Sequence, residues 1–144
     1  MIIEKKEILN LIPHRDPFLF IDKVEILDPG LKGRGFRKFL VSEYFFDGHF
    51  PNMPIVPGVI LIEALAQTAG VVVSKKFENL NNISVLFMSV SKAKFRKSVH
   101  PNDEIIFCVE FINRVRSVYK FLGVAYNKEL KVSEAEFSAM ITHS

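Results

Sequence analysis

The residues whose types and spacing could carry out chemistry lie between His49 and Glu63. His49 stands in a loop made rigid by prolines at positions 51, 54 and 57, and Gly58 follows directly. Glu63 comes five residues later, among Val, Ile, Leu and Ala side chains. A firmly held histidine can act as a general base, a carboxyl group in apolar surroundings as a general acid, and a backbone N–H at a helix start can donate to an oxyanion. Together they suit proton abstraction next to a carbonyl group with departure of a β-substituent.

Glu63 allows two interpretations. The helix predicted from Gly58 to about Lys76 is apolar on almost every face, so we expect the rest of the protein to enclose it. A buried carboxylate without a partner is costly. Either Gln67, four residues away on the same stripe, satisfies Glu63 together with backbone groups, or desolvation makes Glu63 a general acid at neutral pH.

The elements that must position these groups follow from the periodicity of the sequence. Residues 3–11 have helical spacing, and residues 18–27 and 33–41 are predicted strands. Beyond a turn predicted at Asn79–Asn82 come four more strand segments joined by short polar connections, which makes them antiparallel. These segments lie near 84–98, 104–116, 118–127 and 131–142. The predicted fold is α+β: an antiparallel sheet of about six strands wrapped around one long, buried central helix.

Composition narrows the class of protein. With 144 residues, 49% apolar and 24% charged, the chain is predicted to form one globular domain over residues 1–144. The only cysteine, Cys108, lies in an apolar run and is expected to be an inert, buried thiol. No run is long and apolar enough to span a membrane, and the first residues lack the apolar core of a signal peptide, so we expect a cytoplasmic protein without membrane insertion. A net charge of +3 is too small for a dedicated nucleic-acid-binding protein.

Several residues are assigned no ligand. Histidines do not converge with Cys or carboxylate side chains, so no metal site is predicted. The pair Gly33 and Gly35 lacks the third glycine of a nucleotide-binding loop. His14, between a proline and an arginine at the end of the first predicted helix, is interpreted as a packing or capping residue.

A basic cluster is formed by Lys92, Lys94, Arg96 and Lys97. Strand alternation would place the first three of these side chains on one face. This cluster is either a solvated face that discourages edge pairing, or a docking patch for an acidic protein or a phosphate.

The run HFPNMPIVPGVILIEALAQ, from His49 to Gln67, closely resembles the signature of the FabZ-type (3R)-hydroxyacyl-[acyl-carrier-protein] dehydratases of bacterial type II fatty acid synthesis. The resemblance extends to LIPHRDPFL at residues 11–19, to Lys94–Arg96 and to the closing strands. It implies a hot-dog fold and conversion of (3R)-3-hydroxyacyl thioesters to trans-2-enoyl thioesters plus water. This reaction is redox-neutral, so no cofactor is expected.

The resemblance also implies roles for single residues. His49 would be the base and Glu63 the acid, the Gly58 amide would polarise the thioester carbonyl, and the Val59 carbonyl would orient the His49 ring. Acyl carrier protein would be the partner, and the basic cluster its docking patch. The site would be shared across a homodimer, with three dimers forming a hexamer.

The phenylalanine content fits an apolar substrate. The sequence has 14 Phe and no Trp, and an acyl tunnel and a subunit interface both call for wide apolar rings. Phe18, Phe50, Phe87 and Phe95 are the candidates, and Phe50, Phe87 and Gln67 are predicted to bind the substrate.

The sequence departs from the family pattern at two places, and two rival functions remain. The stretch at residues 85–88 is bulkier than the small polar loop that the family often has at the acyl entrance, which leaves the chain-length preference open. The family's Pro-Gly-Asp turn is Pro101-Asn102-Asp103 here, and asparagine tolerates the positive φ that the turn needs. The acid is Glu63, whereas the related FabA-type dehydratase-isomerases carry Asp, which argues against isomerase activity. The rival functions are a hot-dog acyl thioesterase and a non-catalytic acyl-binding subunit.

Overall fold

The computed structural model describes residues 1–76 and 83–143, so the turn predicted at Asn79–Asn82 lies outside the described residues. In this part of the chain, two helices, one short 3-10 helix and seven strands follow each other. They are β1 (Ile2–Glu4), α1 (Lys5–Leu11), β2 (Lys23–Asp28), β3 (Lys32–Lys38), the 3-10 helix (Tyr44–Asp47), α2 (Gly58–Ser74), β4 (Ile83–Phe95), β5 (Glu104–Val115), β6 (Val118–Asn127) and β7 (Leu130–His143).

All the described strands belong to one antiparallel sheet with the order β1-β2-β3-β5-β6-β7-β4. The helix α2 contacts β2 through β7, so the predicted sheet wrapped around a central helix is confirmed. The described strands number seven rather than about six because Ile2–Glu4, expected to begin the first helix, pairs with β2. None of the described helices is long and apolar enough to cross a membrane.

The central helix lies unusually close to the sheet. From Ile60 to Ser74 every residue of α2 except Glu63 is buried. A side chain at Gly33 would place its Cβ 2.5 Å from Cγ2 of Val72, and one at Gly35 would overlap the hydroxyl of Thr68. The two glycines of β3 are therefore needed for close approach of α2 rather than for binding a nucleotide.

Two predicted strands are shorter in the structure. The segment predicted at 18–27 becomes a strand only at Lys23, since the main chain of Phe18 and Phe20 bonds to Gln67 of α2. The Asp22 N–H, just before the strand, already donates to the Phe36 carbonyl of β3. The segment predicted at 33–41 ends at Lys38. There Leu40 and Glu43 close a turn, in which the Leu40 N–H donates to the Glu43 carboxylate and the Glu43 N–H to the Leu40 carbonyl.

The phenylalanines differ widely in burial. Five are fully buried in the core around α2: Phe20, Phe39, Phe107, Phe121 and Phe137. The four assigned to a tunnel or an interface, Phe18, Phe50, Phe87 and Phe95, are all exposed by more than a third of their surface. They are available for contacts outside the protomer core, as their predicted roles require.

Cys108 and Asn102 behave as the sequence predicts. Cys108 is partly buried on β5, and burial raises the pKa of its thiol above the ordinary value of 9.0. It is therefore a neutral thiol at pH 7, the state expected of an unreactive cysteine. Asn102 has a φ of 74°, and the Asp103 N–H donates to the His100 carbonyl, so the turn survives without its glycine.

Strand β4 forms one edge of the sheet and pairs only with β7. All ten residues from Leu86 to Phe95 are exposed, on both faces of the strand. Strict alternation is interrupted within the basic cluster, because the register shifts between Ser91 and Lys94 and Lys92 has a φ of 53°. A bulge of this kind bends the strand and rotates its side chains away from strict alternation. The common face predicted for Lys92, Lys94 and Arg96 stays a prediction.

Candidate active site

His49 is held by the loop that precedes α2. Its N–H donates to the Phe45 carbonyl (3.0 Å), and its ring stacks on Phe50 with 4.2 Å between centroids. The chain then folds back, so that the Ile55 N–H donates to the His49 carbonyl and the Ile55 carbonyl lies 2.9 Å from Nδ1 of His49. A carbonyl can only accept, so Nδ1 carries the proton and Nε2 keeps its lone pair. The ring is thereby fixed in the tautomer of a general base at Nε2.

The predicted orienting role of Val59 is corrected by this geometry. The carbonyl that fixes His49 belongs to Ile55, because residues 49–55 fold back on themselves. Val59 lies already in the first turn of α2, where carbonyls point along the helix axis. Its side chain is exposed and contributes to the wall of the cleft described next.

A cleft of about 340 Å³ opens beside His49. Its wall includes Gly58, Val59, Phe95 and Lys97, but among the described residues that line it Glu63 is absent. Gly58 begins α2, so its N–H belongs to the first turn, where N–H groups have no acceptor within the helix. A Cβ at Gly58 would lie 2.5 Å from Cδ1 of Phe95, so only glycine lets this ring pack against the helix start.

Glu63 is the one residue between Ile60 and Ser74 of α2 that is only partly buried. Its side chain is 17% exposed, and Oε2 accepts a hydrogen bond from Nε2 of Gln67 (3.1 Å). Nε2 of His14 lies 3.2 Å from the same oxygen. No hydrogen bond from the described residues reaches Oε1. The carboxyl group is thus held by one oxygen while the other stays available.

Gln67 lies behind Glu63 and is completely buried. Its Oε1 accepts from the Phe20 N–H (2.8 Å), and its Nε2 donates to the Phe18 carbonyl (3.0 Å) as well as to Glu63. The predicted contact between Gln67 and the substrate is corrected, because all its polar atoms are occupied and none of its surface is exposed. Gln67 instead ties the segment before β2 to the acid.

His14 is the site residue that the sequence analysis missed. It was assigned to packing or capping, yet it lies beside Glu63, 49 residues away in sequence. The available signal was its place in LIPHRDPFL, one of the segments that carry the family resemblance. Spacing alone could not show that the turn after α1 folds against α2.

The remaining predicted residues lie along β4 and just beyond it. Phe87 packs edge-on against Phe137, with 6.0 Å between centroids, and is not part of the wall of the His49 cleft. Within the basic cluster, Lys92 pairs with Glu136 (2.9 Å) and Arg96 with Glu134 (2.8 Å) on β7. In the described part of the chain no carboxylate pairs with Lys94 or Lys97.

Comparison with known proteins identifies the family. A family model described as a FabA-like domain matches residues 12–136. A 3-hydroxyacyl-[acyl-carrier-protein] dehydratase FabZ from Caulobacter vibrioides is 43% identical over 143 residues, which cover 99% of this chain and 90% of that protein. The chain belongs to the FabZ family. FabZ proteins from Clostridium kluyveri and Syntrophotalea carbinolica are 43% and 38% identical, over 94% and 97% of this chain and 94% and 95% of their own lengths. The predicted resemblance to FabZ is confirmed.

Solved structures confirm the hot-dog fold. The dehydratase heterocomplex ApeI:P from Xenorhabdus doucetiae matches with a TM-score of 0.74 at 10% identity, covering 95% of this chain and 91% of that one. A hypothetical thioesterase with coenzyme A from Streptococcus pneumoniae matches with a TM-score of 0.60 at 18% identity, covering 84% and 87%. Proteins named for different activities share this architecture, so membership in the FabZ family rests on sequence and the fold alone does not separate dehydratase from thioesterase.

Proposed function

We propose that this protein removes water from (3R)-3-hydroxyacyl chains on acyl carrier protein, giving trans-2-enoyl thioesters in type II fatty acid biosynthesis. Membership in the FabZ family supports this activity. The observation that carries it is the presence of two prepared groups. One is a histidine whose Nδ1 is held by a backbone carbonyl, which fixes the ring and leaves Nε2 without a partner among the described residues, and the other is a carboxyl group held by one oxygen with the other free. Elimination of water needs one group of each kind.

The chemical step balances without a cofactor. Nε2 of His49 takes the proton from the carbon next to the thioester carbonyl, and that electron pair forms the double bond. The bond from the third carbon to its hydroxyl oxygen breaks as Glu63 gives its proton to the departing oxygen, producing water. The Gly58 N–H, at the positive end of α2, donates to the thioester oxygen as negative charge develops there.

A homodimer with shared sites is part of the proposal. In one protomer the cleft beside His49 does not include Glu63, so Glu63 of the partner subunit would complete it. Strand β4 supports such an assembly, because it is an edge strand of 13 residues, exposed on both faces over most of its length. Long exposed edges of this kind are protected in soluble proteins, here by pairing with a second copy. Three such dimers would form the hexamer.

The activity is tested with a short thioester. The purified protein should interconvert 3-hydroxybutyryl and crotonoyl thioesters, followed by the absorbance of the enoyl group. His49→Ala and Glu63→Gln should each lower kcat by roughly 10² to 10⁴-fold, as expected for loss of a general acid or base. His100→Ala, a change of an exposed histidine whose side chain does not line the cleft, is the matched control and should leave kcat unchanged.

The same assay separates the rival functions. With the 3-hydroxybutyryl thioester as substrate, a thioesterase would release free thiol, which a thiol-reactive dye detects, without the appearance of enoyl absorbance. A non-catalytic subunit would bind the acyl carrier protein and return the substrate unaltered. Near wild-type turnover in folded His49→Ala and Glu63→Gln would refute the assigned roles.

The shared site is tested by complementation. Coexpressed in equal amounts, His49→Ala and Glu63→Gln chains pair at random, so about half of the dimers are mixed. A mixed dimer has one site with both intact groups and one with neither, which predicts roughly a quarter of wild-type activity. If each site lies within a single protomer, the mixture stays as inactive as its components.

We also propose that the basic cluster docks the carrier protein. Lys94 and Lys97 are its best candidates, since Lys92 and Arg96 are already paired with β7. Lys94 does not line the cleft. Lys94→Glu should therefore raise KM for the acyl carrier protein substrate but not for an uncharged N-acetylcysteamine thioester, and more so at low salt. Lys6→Glu, on α1, is the control. The proposed cytoplasmic location is tested by cell fractionation.

A further inference from the structure

His14 has no part in the step proposed above, yet it approaches the acid more closely than its predicted packing role requires. Its Nε2 lies 3.2 Å from Oε2 of Glu63, and only 12% and 17% of the two side chains are exposed. A contact made in such limited solvent is stronger than one on the open surface. It also joins two elements, the turn after α1 and the middle of α2.

The backbone around His14 is fixed from both sides. The guanidinium group of Arg15 folds back over the end of α1 and donates to the carbonyls of Leu9 (2.7 Å), Ile12 (3.0 Å) and His14 itself (2.7 Å). Further along, Gln67 binds the main chain of Phe18 and Phe20. The imidazole is therefore presented to Glu63 by a segment that is anchored before and after it.

The surroundings of the ring select its tautomer. Nδ1 of His14 is buried and has no hydrogen-bond partner among the described residues. A proton there would leave a buried N–H unpaired, which folded proteins avoid. The ring proton therefore resides on Nε2, the nitrogen that lies 3.2 Å from Oε2 of Glu63.

We propose that His14 is a positioning residue: with Gln67 it holds Oε2 of Glu63, so that Oε1 faces the departing hydroxyl group. His14 does not touch the substrate and exchanges no proton with it. This inference rests on the proposed dehydratase function, because Oε1 needs a defined direction only if Glu63 acts on the substrate.

The first test compares variants at position 14. His14→Phe keeps the ring but removes the donor, and should lower kcat about 10 to 100-fold with little change in KM, since small misplacements of a catalytic group cost up to about 10²-fold. His14→Gln places an amide donor at the same distance from the backbone and should restore kcat to within about threefold. His100→Phe is the matched control and should have no effect. If His14→Phe does not fold, His14→Asn serves instead, because its shorter amide cannot reach Glu63.

The second test asks whether His14 acts through Glu63. In a double-mutant cycle, His14→Phe should lower kcat in the wild-type background but change the residual rate of Glu63→Ala by less than about twofold. The same loss in both backgrounds would overturn the inference, because His14 would then act independently of the acid. So would an unchanged kcat in folded His14→Phe, or failure of His14→Gln to restore it. Absence of dehydration by the unaltered protein would overturn the proposed function as well.

Discussion

The buried amide of Gln67 is expected to stabilise the fold and to hold Glu63 in place. The substitution Gln67→Met tests both roles, because it removes the amide and keeps the shape of the side chain. Methionine has nearly the same length and volume, so the substitution leaves no cavity. It removes three hydrogen bonds, to the Phe20 N–H, the Phe18 carbonyl and Glu63. The largest cost is the Phe20 N–H, because Phe20 is completely buried and water cannot replace the lost acceptor.

The expected loss of stability in Gln67→Met follows mainly from the unpaired Phe20 N–H. A buried polar group without a partner costs about 1–3 kcal/mol, and the exposed Phe18 side of the segment adds less. We expect Gln67→Met to lower the free energy of unfolding by about 2–3 kcal/mol, which for a chain of this length lowers Tm by roughly 8 °C. Activity should fall about tenfold as well, since Oε2 of Glu63 loses one of its two contacts.

The measurement is urea unfolding at one fixed protein concentration, because assembly makes stability depend on concentration. Thr68→Val is the matched control, one residue further along α2 and equally buried. Its hydroxyl donates to the Ala64 carbonyl within the helix, and its loss leaves no N–H unpaired, so it should cost less than about 1 kcal/mol. If Gln67→Met is no more destabilising than Thr68→Val, the anchoring of the segment before β2 by Gln67 is refuted.

Three further predictions follow from the cleft, the edge strand and the ion pairs of β7. Gly58→Ala should lower kcat/KM by about 10 to 100-fold without unfolding the protein. The exposed Phe95 ring can move away from the added methyl group, but this ring is part of the cleft wall, so its movement changes the shape of the cleft. Initial rates measure the loss of activity, and unfolding curves check that the variant stays folded. Met88→Lys should shift the protein toward monomers in sedimentation velocity, whereas Leu130→Lys, equally exposed but away from β4, should not. The pKa values of Glu134 and Glu136 are held below the ordinary 4.5, first by hydrogen bonds from Arg96 and Lys92. Stability from these groups is therefore present above about pH 4.5 and is lost as the pH falls through the lowered values, so Glu134→Gln should flatten the acid side of a stability profile.

The elements with a strong period were predictable from the sequence. The uniformly apolar run after Gly58 and the alternating segments of the second half lie close to the observed α2, β4, β5, β6 and β7. These elements could be predicted because their signals are local: prolines restrict the loop before α2, and short polar connections between strands require antiparallel pairing. His49 and Glu63 are candidates for a similar reason, because each is unusual in its local surroundings: one lies in a proline-stiffened loop and the other in an apolar helix.

Several of the differences involve partners distant in sequence. Phe18 and Phe20 lie in a segment that looks like a strand, but Gln67 binds their main chain. His14 looks like a helix end, but the fold brings it to Glu63. The bulge at Lys92 depends on register with β7, which no local pattern specifies.

Two other differences are local. The carbonyl of Ile55, instead of that of Val59, orients His49. A turn from Leu40 to Glu43 follows the early end of β3.

The two glycines of β3 have a consequence for how this protein can change over evolution. They allow α2 to pack closely against the sheet. Because Glu63 lies on α2, the position of its carboxyl group depends on core packing and not on a loop. An alanine at Gly33 or Gly35 would force Val72 or Thr68 of α2 to shift, although neither glycine lines the cleft. Substitutions at these two positions are therefore expected to be limited by the packing of α2 and, through α2, by the position of Glu63.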